Sequence, residues 1–318
     1  TESILTTTSL LWSHSSHLIA TLAVSPTDFA LNFEKTYSLS NLVSSLTSMP
    51  VTRSYLTELL LEKGYSVHGV VRRSSSMNRW RIDHLVQNEN IYGKSLFLHY
   101  ADLSDDASLR RIFSKVNPDE VYHLAGQSHV ALSFEIPELT THEIANATLK
   151  LLEICRDQAK PPKIYLAGSS EIFGDAQESI QTEETPFNPT SPYGVCKAFC
   201  VQMGKVYRSG YGMHVSNGIL YNHESPRRGE NFVTQKIVRG AASIAQGKTE
   251  FLELGNLDIE RDWGYAPDYV LGMWMMLQQE KGSDYILATG KTHKLSDFLQ
   301  LSFEYFGLDH QKHIRINP

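Results

Sequence analysis

The chain predicts an α/β fold, a doubly wound parallel sheet with a smaller C-terminal α/β lobe, and three observations carry that prediction. Its 318 residues are enough for one of the larger α/β cores plus a lesser lobe. From Ser54 onward, helix-period and strand-period segments alternate as repeated βα units do. After about Asn222 the pattern becomes mixed, which sets the lobe apart. Composition agrees: 41% apolar residues, 20% charged residues and a net charge of -6 exclude a disordered chain and a general binder of nucleic-acid phosphates.

The elements follow in order. Asn41 to Leu46 forms a weak first strand. Ser54 to Gly64 is an amphipathic helix that Gly64 stops, and Tyr65 to Val71 is the strand after it. Further strands fall at Leu96 to Tyr100, Glu120 to Leu124, Lys163 to Ala167 and Val215 to Leu220, with helices at Ala107 to Val116, Thr141 to Gln158 and Tyr193 to Arg208 between them. Such alternation implies a parallel sheet covered on both faces, with ligands at the carboxyl ends of its strands. Beyond Asn222, Phe232 to Gln246, Asp268 to Gln279 and Leu295 to Phe306 read as helices. The chain therefore divides into residues 1–53, 54–222 and 223–318.

The first stretch differs in composition from the rest. Its 53 residues hold 11 Ser, 9 Thr and only five charged side chains, and none of the chain's 20 glycines precedes Gly64. The apolar run Leu18 to Val24 is too short to span a bilayer, no basic region precedes it, and no Arg occurs before Arg53. It is treated as unassigned rather than as a targeting signal, and a cytoplasmic location is expected. Cys155, Cys196 and Cys200 are too few and too irregular for a disulfide framework or a zinc site, so no metal is expected.

The chemistry concentrates downstream. Tyr193-Gly-Val-Cys-Lys197 sets a phenol and an ammonium four residues apart, on one face of a helix. An adjacent cation favours the phenolate, the form that acts as a general base. Solvated helix faces produce the same spacing by chance, so its companion matters. Leu166-Ala-Gly-Ser-Ser-Glu-Ile-Phe-Gly174 ends a strand in two hydroxyls and a carboxylate, aiming Ser169, Ser170 and Glu171 at a ligand near Tyr193. A serine-capped turn is the plainer alternative. Asp102-Leu103 and Leu124-Ala-Gly-Gln-Ser-His129 supply candidate walls for the adenine and nicotinamide sides of a dinucleotide, or are ordinary βα turns. Arg72 and Arg73 follow the second strand, where a cation suits a ribose 2'-phosphate and hence NADP, or else forms a solvated basic turn.

Together these residues resemble the extended short-chain dehydrogenase/reductase family and, within it, the GDP-mannose 4,6-dehydratases, from about Ser54 to Pro318. The motifs are Val70-Val-Arg-Arg-Ser-Ser-Ser76, Leu124 to Val130, Ser169 to Glu171, Tyr193 to Lys197, Asn222-His-Glu-Ser-Pro-Arg-Arg-Gly229 and Leu254-Gly-Asn-Leu-Asp-Ile-Glu-Arg-Asp-Trp-Gly264. Within that family, Glu at the third place of the triplet marks dehydratases over epimerases, and Ser at the second place marks the GDP-mannose type.

The resemblance implies a Rossmann-like NADP-binding domain over 54–222 and a GDP-sugar lobe over 223–318, here cut short at Pro318. It also implies dehydration of GDP-mannose to GDP-4-keto-6-deoxymannose by a homo-oligomeric lyase, dimeric or tetrameric. In that scheme Tyr193, with Ser169 hydrogen-bonded to the same C4 hydroxyl, removes that hydroxyl's proton while the C4 hydrogen passes as hydride to NADP+, and Lys197 holds the nicotinamide ribose. Glu171 takes the C5 proton, water leaves from C6, and the hydride returns there. Cofactor contacts fall on Arg72, Asp102, Leu103, Leu124, Ala125, Gly126, Gln127, Ser128, Tyr193, Lys197, His223 and Arg228. Sugar-nucleotide contacts fall on Ser128, Ser170, Glu171, Asn222, Val233, Lys236 and Arg261, the two basic residues meeting the diphosphate.

One departure matters most. Where this family carries a G-x-x-G-x-x-G turn, the chain has Thr47, Pro50 and Arg53 in the three glycine places. Proline offers no N–H, and the other two add side chains where phosphate would lie. Three readings stand: a foreign or out-of-frame segment joined to an intact enzyme, a diverged strand and loop, or a non-catalytic sugar-nucleotide-binding relative. A different family activity, such as nucleotide-sugar epimerisation, is the remaining alternative.

Overall fold

The computed structural model describes residues 41–46, 51–72 and 79–317. Thr47, Pro50, Arg73 and most of the Ser/Thr-rich opening lie outside the described residues. The chain runs β1 (Asn41–Leu46), α1 (Val51–Glu62), β2 (Ser66–Val71), α2 (Asp83–Val86), β3 (Leu96–Tyr100), α3 (Asp106–Val116) and β4 (Glu120–His123). It continues through α4 (Val130–Glu135), α5 (Pro137–Thr141), a π-helical turn (His142–Asn146), α6 (Ala147–Arg156), β5 (Lys163–Ala167), α7 (Pro192–Tyr211) and β6 (Val215–Leu220). Then come β7 (Asn222–Glu224), α8 (Val233–Ala245), β8 (Leu252–Leu254), β9 (Glu260–Tyr265), α9 (Ala266–Gln278), β10 (Asp284–Leu287), β11 (Thr292–Lys294), α10 (Leu295–Tyr305) and β12 (Ile314–Ile316).

Seven parallel strands form one sheet in the order β10-β6-β5-β4-β1-β2-β3. The chain thus winds outward from β1 in one direction through β3, and in the other from β4. This is the doubly wound α/β arrangement expected from the sequence. Its helices form for local reasons that are visible in the residues. In α3, Asp105 accepts from Ser108 N at 3.1 Å as the N-cap, Asn117 closes the helix in the left-handed region at φ 47°, and Leu109, Ile112, Phe113 and Val116 make one buried stripe. These side chains join Leu151, Leu152, Cys155, Ile164 and Val215 in the main core.

The chain separates into two units. One holds the sheet through Leu220 and takes back Val270–Leu287, so that β10 becomes its seventh strand. There Lys163 Nζ donates to the Leu277 carbonyl at 2.7 Å and Gln278 Nε2 to Glu120 Oε1 at 3.1 Å. Lys163 and Glu120 begin their strands, so this helix end packs at the amino edge of the sheet, beside β4 and β5. The other unit comprises Tyr221–Tyr269 and the residues from Ala288 onward. In it β9 pairs with β7 in parallel and with β11 antiparallel, β8 pairs with β12, and Ile237, Ala241, Trp263, Leu299 and Phe303 form a core of their own. No helix among the described residues is long and apolar enough to cross a membrane.

Candidate active site

The start of α7 is fixed by three contacts. Ser191, in extended backbone, accepts from Gly194 N at 3.0 Å, Pro192 occupies the first turn, and Tyr193 N donates to Ser133 Oγ of α4 at 3.2 Å. Tyr193 and Lys197 follow on one face, and both are buried. Lys197 Nζ donates to the Ala167 carbonyl at the end of β5 at 2.7 Å and lies 5.7 Å from the Tyr193 ring centroid. The cation is thereby held beside the phenol from the end of a strand.

The triplet after β5 meets the same helix. Ser169 caps a short turn over Ser170–Ile172 by accepting from Glu171 N at 3.3 Å. All three members, Ser169, Ser170 and Glu171, are half-buried. Gly194 explains how α7 approaches so closely: a Cβ there would lie 2.7 Å from the Glu171 carbonyl oxygen. Tyr193, Lys197 and the triplet thus lie in one unit, around the carboxyl end of β5.

A second group lines the end of β4. Leu124, Ala125, Gly126, Gln127 and Ser128 leave the strand in a loop with Gly126 at φ 120°, and a Cβ on Gly126 would lie 3.1 Å from Ile144 in the π-helical turn. Gln127 Nε2 donates to Thr140 at 3.2 Å, and its Oε1 accepts from His129 N. Ser128 is exposed. Beneath the loop His123 is buried with Nε2 3.0 Å from Thr148 Oγ1, and burial, reinforced by the charges of Lys197 and Arg53, pushes its pKa down to about 3. Arg53 is also here. Fully buried, it reaches from the first turn of α1 to the Leu124 carbonyl, Nε at 3.2 Å and Nη2 on the same oxygen. Burial lowers its pKa to about 9.

Arg72, Asp102 and Leu103 sit at the ends of β2 and β3. Leu103 is buried in the main core, while Arg72 Nη1 lies 3.7 Å from Glu143. Partial burial pushes the Asp102 carboxyl up, but Ser104, which donates through its hydroxyl at 2.6 Å and its N–H at 2.9 Å, outweighs it together with Arg72 and His142, leaving the net pKa lowered. These contacts join Arg72 to Asp102 electrostatically at one edge of the sheet.

In the second unit, Asn222 and His223 belong to β7 and Val233 opens α8. His223 stacks on Tyr269 with centroids 4.7 Å apart, and burial lowers its pKa to about 4. Arg228 Nε pairs with Glu224 at 3.1 Å, and its guanidinium lies 3.6 Å over the Phe232 ring. Lys236 and Arg261 are exposed, Arg261 donating to the Glu260 carbonyl at 2.8 Å. Asn222, His223, Arg228 and Val233 thus form one strand-loop-helix segment, with Lys236 and Arg261 on its surface elements.

The Tyr193–Lys197 pair lies beyond the carboxyl end of β5 and the Arg72–Asp102 pair beyond those of β2 and β3, side chains whose chemistry suits a nicotinamide dinucleotide. Between them, at the start of α1, stands Arg53. In the sequence Arg53 stands out only as the residue in the third glycine place, and His123 does not stand out. Their proximity follows from the pairing of β1 with β4, across 71 residues in the case of Arg53 and Leu124, and no local pattern carries that.

A family profile described as GDP-mannose 4,6 dehydratase matches residues 54–317. GDP-mannose 4,6 dehydratase 1 of Arabidopsis thaliana is 51% identical over 269 residues, covering 83% of this chain and 74% of that protein. GDP-mannose 4,6-dehydratase of Vibrio cholerae is 51% identical over 257 residues, 80% of this chain and 69% of the other. Among solved structures, DesIV, a dTDP-glucose 4,6-dehydratase of Streptomyces venezuelae with NAD bound, superposes with a TM-score of 0.76 at 20% identity, over 87% of this chain and 84% of that one. A UDP-N-acetylglucosamine 4-epimerase of Methanobrevibacter ruminantium gives 0.74 at 22% identity, over 88% and 86%. At those identities the structural likeness speaks for the fold.

Proposed function

The chain belongs to the GDP-mannose 4,6-dehydratase family, and from that membership we propose how its residues divide the reaction. It is a lyase: GDP-mannose loses water across C5 and C6 and leaves as GDP-4-keto-6-deoxymannose. A nicotinamide dinucleotide, NADP in this reading, supplies a reversible hydride acceptor when bound.

Tyr193 takes the proton of the C4 hydroxyl, and Ser169 holds that hydroxyl by a hydrogen bond. Lys197, anchored on Ala167, keeps a positive charge beside the phenolate and grips the nicotinamide ribose. Oxidation at C4 acidifies the neighbouring C–H, and Glu171 removes the C5 proton and passes a proton to the departing C6 hydroxyl. Ser170 and Ser128 position the sugar. Asn222 and Val233 hold the nucleotide sugar, with Lys236 and Arg261 on its diphosphate. Arg72 serves a 2'-phosphate, which is the ground for NADP over NAD, while Asp102, Leu103 and the loop Leu124 to Ser128 wall the cofactor. His223 and Arg228 complete its contacts. The setting we propose is a cytoplasmic homo-oligomer, in keeping with three buried free thiols, Cys155, Cys196 and Cys200.

The observation that carries this reading is the seating of Gly194 on the Glu171 carbonyl, because it brings the phenol–ammonium helix and the carboxylate turn together. The test is incubation of the protein with GDP-mannose and NADP+ followed by mass spectrometry of the sugar nucleotide. A product lighter by one water supports it. Unchanged GDP-mannose, or an epimer of equal mass, contradicts it.

A further inference from the structure

The strand order turns back at β1, which lies between β2 and β4. In sheets of this kind a dinucleotide lies across the crevice outside the carboxyl ends of the strands that part there. Arg53 stands at the start of α1, and Leu124 is the first residue after β4. The hydrogen bonds from the Arg53 guanidinium to the Leu124 carbonyl therefore span the two lips of the crevice.

We infer that Arg53 closes the dinucleotide crevice from within, so that a pyrophosphate enters only when the guanidinium leaves Leu124. The inference rests on the proposed function only in taking the ligand of this crevice to be a dinucleotide. The side chain is 0% exposed, so no face of the guanidinium is open to an arriving phosphate. It acts as a stopper, and not as a ready phosphate ligand. Burial also holds its pKa near 9, as expected of a cation screened from water. Charge-assisted hydrogen bonds in a dry site are among the stronger ones, so the open form is a minority. Apparent affinity falls in proportion to that minority.

The test is calorimetric titration of the full chain with NADP+ and, separately, with GDP-mannose, in the wild type, Arg53→Gly, Arg53→Ala and Arg53→Met. Freed of the stopper, the Gly and Ala variants are expected to bind NADP+ about ten- to a hundredfold more tightly, the range set by one or two charge-assisted hydrogen bonds. Ala guards against helix loss from a glycine in the first turn. Met fills similar space without charge and is expected to gain less than Gly or Ala. Weaker NADP+ binding in both Gly and Ala variants would overturn the inference, because Arg53 would then be a phosphate ligand. So would equal affinity in all four proteins. If GDP-mannose binds to none of them while the NADP+ gain persists, the substrate assignment fails and the Arg53 inference stands.

Discussion

Of the three half-buried residues that follow β5, Glu171 alone carries a group able to take a proton from carbon, while Ser169 and Ser170 can only hold hydroxyls. Glu171→Gln keeps the shape and removes the base. Its kcat is expected to fall about 10²–10⁴-fold, with KM for GDP-mannose little changed, as steady-state kinetics will read. A second prediction concerns pH. His123 has an ordinary pKa of 6.5, and its folded value is about 3 because it is buried near Lys197 and Arg53. The unfolded chain therefore binds a proton below pH 6.5 that the folded chain refuses until near 3. Stability is complete above that upper value and declines as pH falls toward the lower one. Denaturant titrations between pH 7 and 4 should show His123→Gln, which cannot take up that proton, losing less stability on acidification than the wild type, by roughly 1–3 kcal/mol at pH 4.

At the scale of elements, the packing of α7 against the turn after β5 is what the proposed pairing of base and carboxylate depends on. A Cβ at Gly194 would sit 2.7 Å from backbone oxygen, which cannot swing aside as a side-chain tip can. Gly194→Ala is expected to cost about 1–3 kcal/mol and to lower Tm by several degrees, read by a circular-dichroism melt. It should also depress kcat by shifting Tyr193. Strands and helices with a clear period were legible from sequence: Leu96–Tyr100, Lys163–Ala167 and Val215–Leu220 form as the residues predict, and the stripe of α3 is the reason its helix could be read. The continuous helix expected over Thr141 to Gln158 instead contains the π-helical turn His142–Asn146, whose Ile144 packs against Gly126 from a distant loop. Tertiary contacts of this kind leave no local period. The short strands β7 to β12 carry no clear sequence signal for a related reason, being mostly three or four residues long with too little alternation to register. The triplet and the Tyr193–Lys197 pair were legible because their chemistry is spelled in adjacent residues, whereas the reach of Arg53 to Leu124 depends on sheet order.

Across the whole molecule, the described residues form two units, and the family match begins at residue 54, immediately after the residue inferred to close the crevice. The groups proposed for acid–base work lie in the sheet unit, and the segment proposed for the sugar nucleotide lies in the second. What joins these assignments is a single claim, that hydrogen leaves C4 and returns at C6 of the same sugar while water departs between C5 and C6. The most direct test is conversion of GDP-mannose deuterated at C4, with NADP+ present, followed by proton and deuterium NMR of the product. The account predicts a 4-keto-6-deoxy sugar with the deuterium on C6 and a solvent hydrogen at C5. Recovery of unreacted GDP-mannose, or of a product whose C6 carries only solvent hydrogen, would contradict it.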